Sequence, residues 1–263
     1  SHSRESGGPV TEAVGEVLVE RDGAVGLLTL NRPAARNSMT PRMIDELGNA
    51  LGEFRDDSDI AVVVITGAGD RAFCSGMDLR GTPPTSSFED QFGVPPQHLS
   101  RGMEFWKPVI AAVNGYALGA GFELALSCDL RYASSTASFG LPEVGIGSMP
   151  GAGGTQRIIR QAPWALAMEL LLTGDRWDAH RIERAGLLNG VVAPTELIAT
   201  AMDVAHRIAR NAPLSLQAVK QAAWRGRHLP LPEALSLERT LFNLIRDTED
   251  RAEGRAAFAE KRP

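Results

Sequence analysis

The chain has 263 residues, 43% of them hydrophobic and 22% charged, which suits one large folded domain, or one plus a smaller appendage, and excludes a disordered, collagenous or disulfide-scaffold protein. A formal net charge of −5 argues against a polyanion-binding surface, so nucleic acid is not an expected partner, although a local basic pocket for one phosphorylated ligand remains compatible. Two cysteines, Cys74 and Cys128, with no secretory leader ahead of them, point to a reducing, cytoplasmic setting. The opening Ser1 to Pro9 is polar and reads as unstructured.

The elements begin with strands. Val17 to Glu20 and Val25 to Asn31 flank Arg21-Asp22-Gly23-Ala24, and an Asp-Gly turn between apolar runs predicts a hairpin. A helix follows, with Thr40 as N-cap, Pro41 in the first helical position and an apolar stripe at Met43, Ile44, Leu47, Leu51 and Phe54. Ile60 to Thr66 is continuously apolar and β-branched, as in a strand covered on both faces. Gly81 to Gln97, rich in proline and without period, reads as a loop. Val109 to Leu126 has the length of a membrane span, but it contains Asn114, Glu123 and several glycines and fits a buried strand, turn and helix, so no membrane is expected. Leu130 to Ala133 is the next strand and leads to a helix near Gly153. After Val192 only helices are expected, over Thr195–Arg210, Leu214–Arg225, Pro232–Arg246 and Thr248–Lys261. The pattern is α/β, divided at about residue 195 into a core (10–195) and a helical region (196–263). Apolar positions on several sides of these last helices suggest packing against another subunit.

Familiar site types are missing. No histidine pair sits four apart on a helix and no Cys-x-x-Cys occurs, so no metal site is expected. No lysine follows a glycine, which removes the phosphate-binding P-loop, and each Gly-x-Gly lacks the third glycine of the dinucleotide fingerprint. No Gly-x-Ser-x-Gly elbow is present. Carboxylates and backbone amides remain. The turns Cys74-Ser75-Gly76-Met77-Asp78-Leu79 and Gly119-Ala120-Gly121-Phe122-Glu123 each free main-chain N–H groups that could meet a negative atom, although the same glycines would serve an ordinary turn. Glu123, in the first turn of a helix, suits a base, because the helix dipole favours its ionised form. Glu143, among apolar residues and glycines, suits an acid if burial raises its pKa. Two carboxyls in unlike environments are a recurrent acid/base arrangement, but residues 123 and 143 need not meet.

The run Lys107-Pro108-Val109-Ile110-Ala111-Ala112-Val113-Asn114-Gly115-Tyr116-Ala117-Leu118-Gly119-Ala120-Gly121-Phe122-Glu123-Leu124 resembles the signature of the enoyl-CoA hydratase/isomerase (crotonase) superfamily. Asn31-Arg32-Pro33 with Asn37, Ala72 to Leu79, Phe139 to Glu143, Pro150 to Arg157 and Ala257 to Arg262 agree in order. The resemblance implies a core of ββα spiral turns and a C-terminal all-helical trimerisation region, in homotrimers or homohexamers. It implies an acyl-CoA thioester substrate, with coenzyme A as part of the substrate and no separate cofactor. Its carbonyl would be held by an oxyanion hole made of the N–H groups of Met77 and Ala120, the latter more often glycine in hydratases. Glu123 and Glu143 match the two glutamates of hydratases, which implies syn hydration of a trans-2-enoyl-CoA to a 3-hydroxyacyl-CoA. Coenzyme A is expected along Ala34, Ala35 and Arg36, along Ser75, Gly76, Asp78 and Leu79, and near Arg80, with Lys261 reaching a neighbouring subunit's ligand. The alternatives are a Δ3,Δ2-enoyl-CoA isomerase and a non-catalytic acyl-CoA carrier.

Overall fold

The computed structural model describes residues 15–80 and 98–261; the Gly81 to Gln97 loop and the opening Ser1 to Pro9 lie outside the described residues. The first hairpin forms as its sequence dictates. Strands β1 (Val17–Asp22) and β2 (Val25–Leu30) pair antiparallel from Asp22↔Val25, and Gly23 supplies the positive φ of +57° that the two-residue loop requires. Helix α1 (Pro41–Asp56) starts where expected, with the Thr40 hydroxyl accepting from the Met43 N–H at 3.0 Å. Its stripe of Met43, Leu47, Leu51 and Phe54 is buried, each side chain contributing about 1.5–3 kcal/mol by leaving water.

The chain then alternates between two sheets. The larger has the order β1-β2-β3-β5-β7-β10, with β3 (Val62–Gly67), β5 (Val109–Val113), β7 (Leu130–Ser134) and β10 (Gly190–Val192) parallel to β2. The smaller has the order β4-β6-β8-β9, made of β4 (Ala72–Cys74), β6 (Tyr116–Leu118), β8 (Ser138–Gly140) and the antiparallel β9 (Trp177–Asp178). Thus β3 passes to β4, β5 to β6 and β7 to β8, one strand per sheet in each turn of a ββα spiral. Helix α2 (Ala120–Ser127) follows β6, α3 (Gly154–Gln161) and α4 (Trp164–Thr173) follow β8, and α5 (Ala179–Arg184) follows β9.

The crossings between sheets are fastened by two side-chain amides, Asn114 half-buried and Asn37 fully buried. The Asn114 side chain accepts from the Gly67 N–H at 3.2 Å and donates to the carbonyls of Gly69 and Ala72 at 2.7 and 3.2 Å. Asn37, fully buried, donates to the carbonyls of Ala68 and Ala72 and accepts from the Arg32 N–H. Such bonds satisfy main-chain groups that the break between strands would otherwise strand in the core.

The large sheet is covered on both faces, which explains the unbroken apolar β3. Leu28, Val63, Ile65, Ala111 and Val113 face the main core. Val25, Val62, Val64, Ile110 and Ala112 face helix α6 (Leu197–Ala209), which buries Leu197, Ala201, Val204 and Ala205 on them. The change in packing therefore comes after α6, at Pro213, whereas the sequence pattern divides the chain near residue 195: α6 has a narrow apolar stripe and closes the core. Helices α7 (Pro213–Gly226), α8 (Leu231–Arg246) and α9 (Glu249–Glu260) contain no buried residue. They expose Val219, Trp224, Leu235, Phe242 and Phe258. Lys220 ties α7 to the core through Asp129 at 2.6 Å and the Lys107 carbonyl at 2.9 Å. No helix among the described residues is long and apolar enough to cross a membrane, and Val109 to Leu126 folds as β5, β6 and α2.

Candidate active site

Two turns at the edge of the small sheet leave main-chain donors free. After β4, the Met39 N–H donates to the Gly76 carbonyl and the Asp78 N–H to the Met39 carbonyl, each at 2.8 Å. Successive amides of extended chain point to opposite sides, so with Asp78 turned toward Met39 the Met77 N–H faces away. It has no acceptor among the described residues. The turn is pinned by Arg32, which donates to the Asp78 carboxylate at 3.0 Å, and the same carboxylate holds Arg80 at 2.8 Å. Hydrogen bonds from Arg80 foremost, and from Arg32, keep the Asp78 carboxyl far below the usual carboxylate range.

The second turn ends β6. Gly119 adopts φ 52° and ψ −125°, a region open in practice to glycine alone, and donates its N–H to the Gly140 carbonyl at 2.9 Å. Ala120 then opens α2. Its N–H, like every first-turn amide, has no intrahelical acceptor, and none is supplied by the other described residues. The two turns touch: a Cβ on Gly121 would lie 2.2 Å from the Cys74 carbonyl oxygen, and one on Gly119 would lie 3.8 Å from the Gly76 Cα.

Both glutamates border these turns. Glu123, one helical turn into α2, is only 2% exposed. Its Oε1 accepts from the Ala152 N–H at 2.7 Å and the Gly154 N–H at 2.8 Å, at the start of α3. Two aligned donors at a helix N-terminus complement a negative charge there. Arg157 steadies this cradle by donating to the carbonyls of Ala152 and Ser100. Glycine at 154 leaves room for the contact, since a Cβ there would lie 3.0 Å from both Cγ and Oε1 of Glu123.

Glu143 sits half-buried in the 3-10 turn Pro142–Ile146. Its Oε1 lies 3.0 Å from where a Gly119 Cβ would be, beside the amide of Ala120. Its Oε2 is buried with no hydrogen-bond partner among the described residues. Burial pushes the Glu143 carboxyl above its ordinary range, and the negative charge of Glu123 adds to that push. The fold thus sets the Met77 and Ala120 turns side by side, with Glu143 against Gly119 and the charge of Glu123 near enough to act on it. Cys74 lies close by, but burial raises its thiol to about 12, so it is no nucleophile at neutral pH.

The residues expected along coenzyme A fall in two groups. Ala34 and Ala35 lie on the 3-10 turn Pro33–Ala35, followed by Arg36 in a left-handed conformation. This segment adjoins Ser75, Gly76, Asp78 and Leu79, because the Ser75 N–H donates to the Arg36 carbonyl at 3.1 Å. Leu79 is exposed and Arg80 is spent on Asp78. Lys261 caps the C-terminus of α9, exposed, and no hydrogen bond or ion pair joins it to the other site residues. The amides of Ala152 and Gly154 escaped the sequence reading, although the run Gly151-Ala152-Gly153-Gly154 ahead of a helix carries the signal.

A ββα spiral with two free amides and two carboxyls beside one another has the makings of an acid/base site with an anion-binding turn. The family model described as "Enoyl-CoA hydratase/isomerase" matches residues 20–263, and the chain belongs to that family, the crotonase superfamily. It is 45% identical to the (E)-benzylidenesuccinyl-CoA hydratase of Thauera aromatica over 94% of this chain and 96% of the relative. It is 42% identical to the short-chain-enoyl-CoA hydratase of Clostridium acetobutylicum, covering 94% and 95% of the two chains. The crystal structure of enoyl-CoA hydratase from Bacillus anthracis superposes with a TM-score of 0.87 at 36% identity, over 94% of this chain and 97% of that one.

Proposed function

We propose that the protein catalyses reversible syn hydration of a trans-2-enoyl-CoA to the 3-hydroxyacyl-CoA. The observation that carries this reading is the unlike pair of carboxyls, Glu123 held by two amides and Glu143 pushed toward its protonated form by burial and by the nearby charge of Glu123. The thioester oxygen accepts from the N–H groups of Met77 and Ala120. Glu123, as carboxylate, takes a proton from water while the water oxygen bonds to Cβ, and the Cα=Cβ electrons move onto the thioester oxygen. Glu143, as carboxylic acid, returns a proton to Cα on the same face. In the reverse reaction the roles exchange, Glu143 taking the Cα proton and Glu123 protonating the departing hydroxyl. Each oxyanion donor contributes about 3–4 kcal/mol to the transition state and each glutamate about 10² to 10⁴ in rate.

Crotonyl-CoA tests the proposal through loss of its enoyl absorbance. Glu123→Gln and Glu143→Gln should each lower kcat by about 10² to 10⁴ with little change in CoA affinity. Persistence of the absorbance, alongside conversion of a 3-enoyl thioester, would make the protein an isomerase, and no turnover at all would make it an acyl-CoA carrier. The family names of relatives acting on benzylidenesuccinyl-CoA and short-chain enoyl-CoA support the substrate class.

The apolar side chains that α7 to α9 leave exposed support assembly into a homotrimer or homohexamer through these helices. Two free, buried thiols accord with a cytoplasmic location.

A further inference from the structure

One aromatic ring beside the site carries two cations. On β6, Ala117 points into the core while Tyr116 and Leu118 are half-buried on the outer face of the small sheet. The Arg36 guanidinium carbon stands 5.9 Å from the Tyr116 ring centroid, and that of Arg176 stands 5.7 Å from the same centroid. The two arginines come from opposite ends of the sheet. Arg36 is fixed by its left-handed backbone and by the bond from Ser75. Arg176 immediately precedes β9, and its side chain crosses β8 because Gly140 has none: a Cβ there would lie 3.4 Å from the Arg176 Cγ.

Neither guanidinium has a hydrogen-bond or ion-pair partner among the described residues, and both are exposed. Cation–π contact holds a guanidinium by its face and leaves its N–H edge available, the geometry suited to phosphate oxygens. Tyr116 precedes Ala120 by four residues, so at about 3.3 Å per residue their Cα atoms are at most roughly 13 Å apart. A pantetheine arm spans such a distance.

We propose that Arg36 and Arg176, braced on Tyr116, form a phosphate subsite that takes the nucleotide end of the acyl-CoA, with Arg176 as a binding residue not expected from the sequence. The proposal rests on the acyl-CoA reading above. The phosphate bound is either the 3′-phosphate or the pyrophosphate of coenzyme A, which share their chemistry and are separable by substrate truncation.

The test compares crotonyl-CoA, crotonyl-dephospho-CoA and crotonyl-pantetheine in the unaltered protein and in Arg176→Gln and Arg36→Gln. Each substitution should lower kcat/KM for crotonyl-CoA about tenfold, through KM, by removing a charge-assisted contact. The pantetheine thioester, which has no phosphate at that end, should respond to neither. A loss seen with crotonyl-CoA but not with the dephospho form assigns the 3′-phosphate, and an equal loss with both assigns the pyrophosphate. An equal loss on the pantetheine thioester, or none on crotonyl-CoA, would overturn the subsite. If no crotonyl thioester is hydrated, hydration fails separately, and calorimetric binding of free coenzyme A then decides: unchanged affinity in Arg176→Gln refutes the subsite, and a weaker one supports it.

Discussion

Gly121→Ala is the sharpest probe of how the two donor turns are held. The added methyl carbon would lie 2.2 Å from the Cys74 carbonyl oxygen and 2.8 Å from the Cys74 carbonyl carbon and Cβ, all on the turn that leads to Met77. Main chain cannot rotate away as a flexible side chain does, so α2 and that turn must separate by roughly 1 Å to reach ordinary contact. The Ala120 N–H sits on one moving part and the Met77 N–H on the other. An oxyanion donor acts over a narrow range of distance, and a separation of that size forfeits about 3–4 kcal/mol, or 10² to 10³ in kcat. Overpacking costs a further ~1–3 kcal/mol of stability, which has to be told apart from the catalytic loss. Gly26→Ala provides the comparison, because its methyl would meet the Phe54 ring at 2.4 Å, in the core beneath α1. Crotonyl-CoA turnover and urea unfolding, measured on both variants, should show comparable destabilisation with kcat reduced only in Gly121→Ala. Full turnover in a folded Gly121→Ala protein would refute the idea that this contact sets the distance between the donors.

Four further outcomes follow from the charges and amides. Because burial, with the Glu123 charge, raises the Glu143 pKa, its acid form persists above the usual carboxylate range, and kcat/KM should decline as pH climbs through that raised value. In Glu123→Gln the Glu143 carboxyl, followed by its infrared C=O band, should ionise at lower pH than in the unaltered protein. His98 is buried and its pKa falls to about 4, mainly through desolvation. Its depressed value means the unfolded chain binds the extra proton first as pH drops below 6.5, so stability is full above that pH and declines toward pH 4. Over that window the loss is about 3 kcal/mol, read as a falling urea midpoint whose slope should shrink in His98→Gln. Asn114→Ala should cost ~1–3 kcal/mol by leaving the Gly67 N–H and the Gly69 carbonyl without their partner, and a urea midpoint equal to the unaltered protein's would argue against that role.

The elements with a strong period were legible in the sequence. Thr40 before Pro41, the apolar β3 and the stripe on α1 each follow from local chemistry, and they fold as that chemistry dictates. The small sheet was not legible, because β4, β6 and β8 are three residues long and a period of two cannot show itself in three positions. Helices α4 and α5 were hidden differently: α4 buries only Ala167, Leu170 and Leu171, and its apolar run lacks a polar face. That α6 covers the second face of the large sheet was not legible either, because burial there follows from which sheet face still lacks a cover. At the site, glycines announced the free amides. That Glu123 should meet Ala152 and Gly154, some thirty residues on, depends on tertiary packing that no local signal encodes.

The spiral itself explains why two unpaired amides come to lie side by side at Gly119. Each turn of chain leaves the large sheet, adds a short strand to the small one and must then start a helix or loop in little space. At β6 this is achieved by a glycine with positive φ, which turns the first amide of α2 outward. At β4 it is achieved by pairing Gly76 and Asp78 with Met39, which turns the amide between them outward. Parallel pairing of β4 with β6 then sets the two turns side by side, so a pair of donors arises from the fold without any functional side chain. Glu123 and Glu143 are superimposed on that frame from helix α2 and from the 3-10 turn after β8, and changing either should alter the reaction while leaving the donors in place. A variant with both glutamates replaced by glutamine should accordingly keep its affinity for an acyl-CoA whose thioester oxygen needs those amides, while losing hydration. Loss of binding in that folded double variant would show that the carboxyls hold the turns together, and that the donors are not a property of the main chain alone.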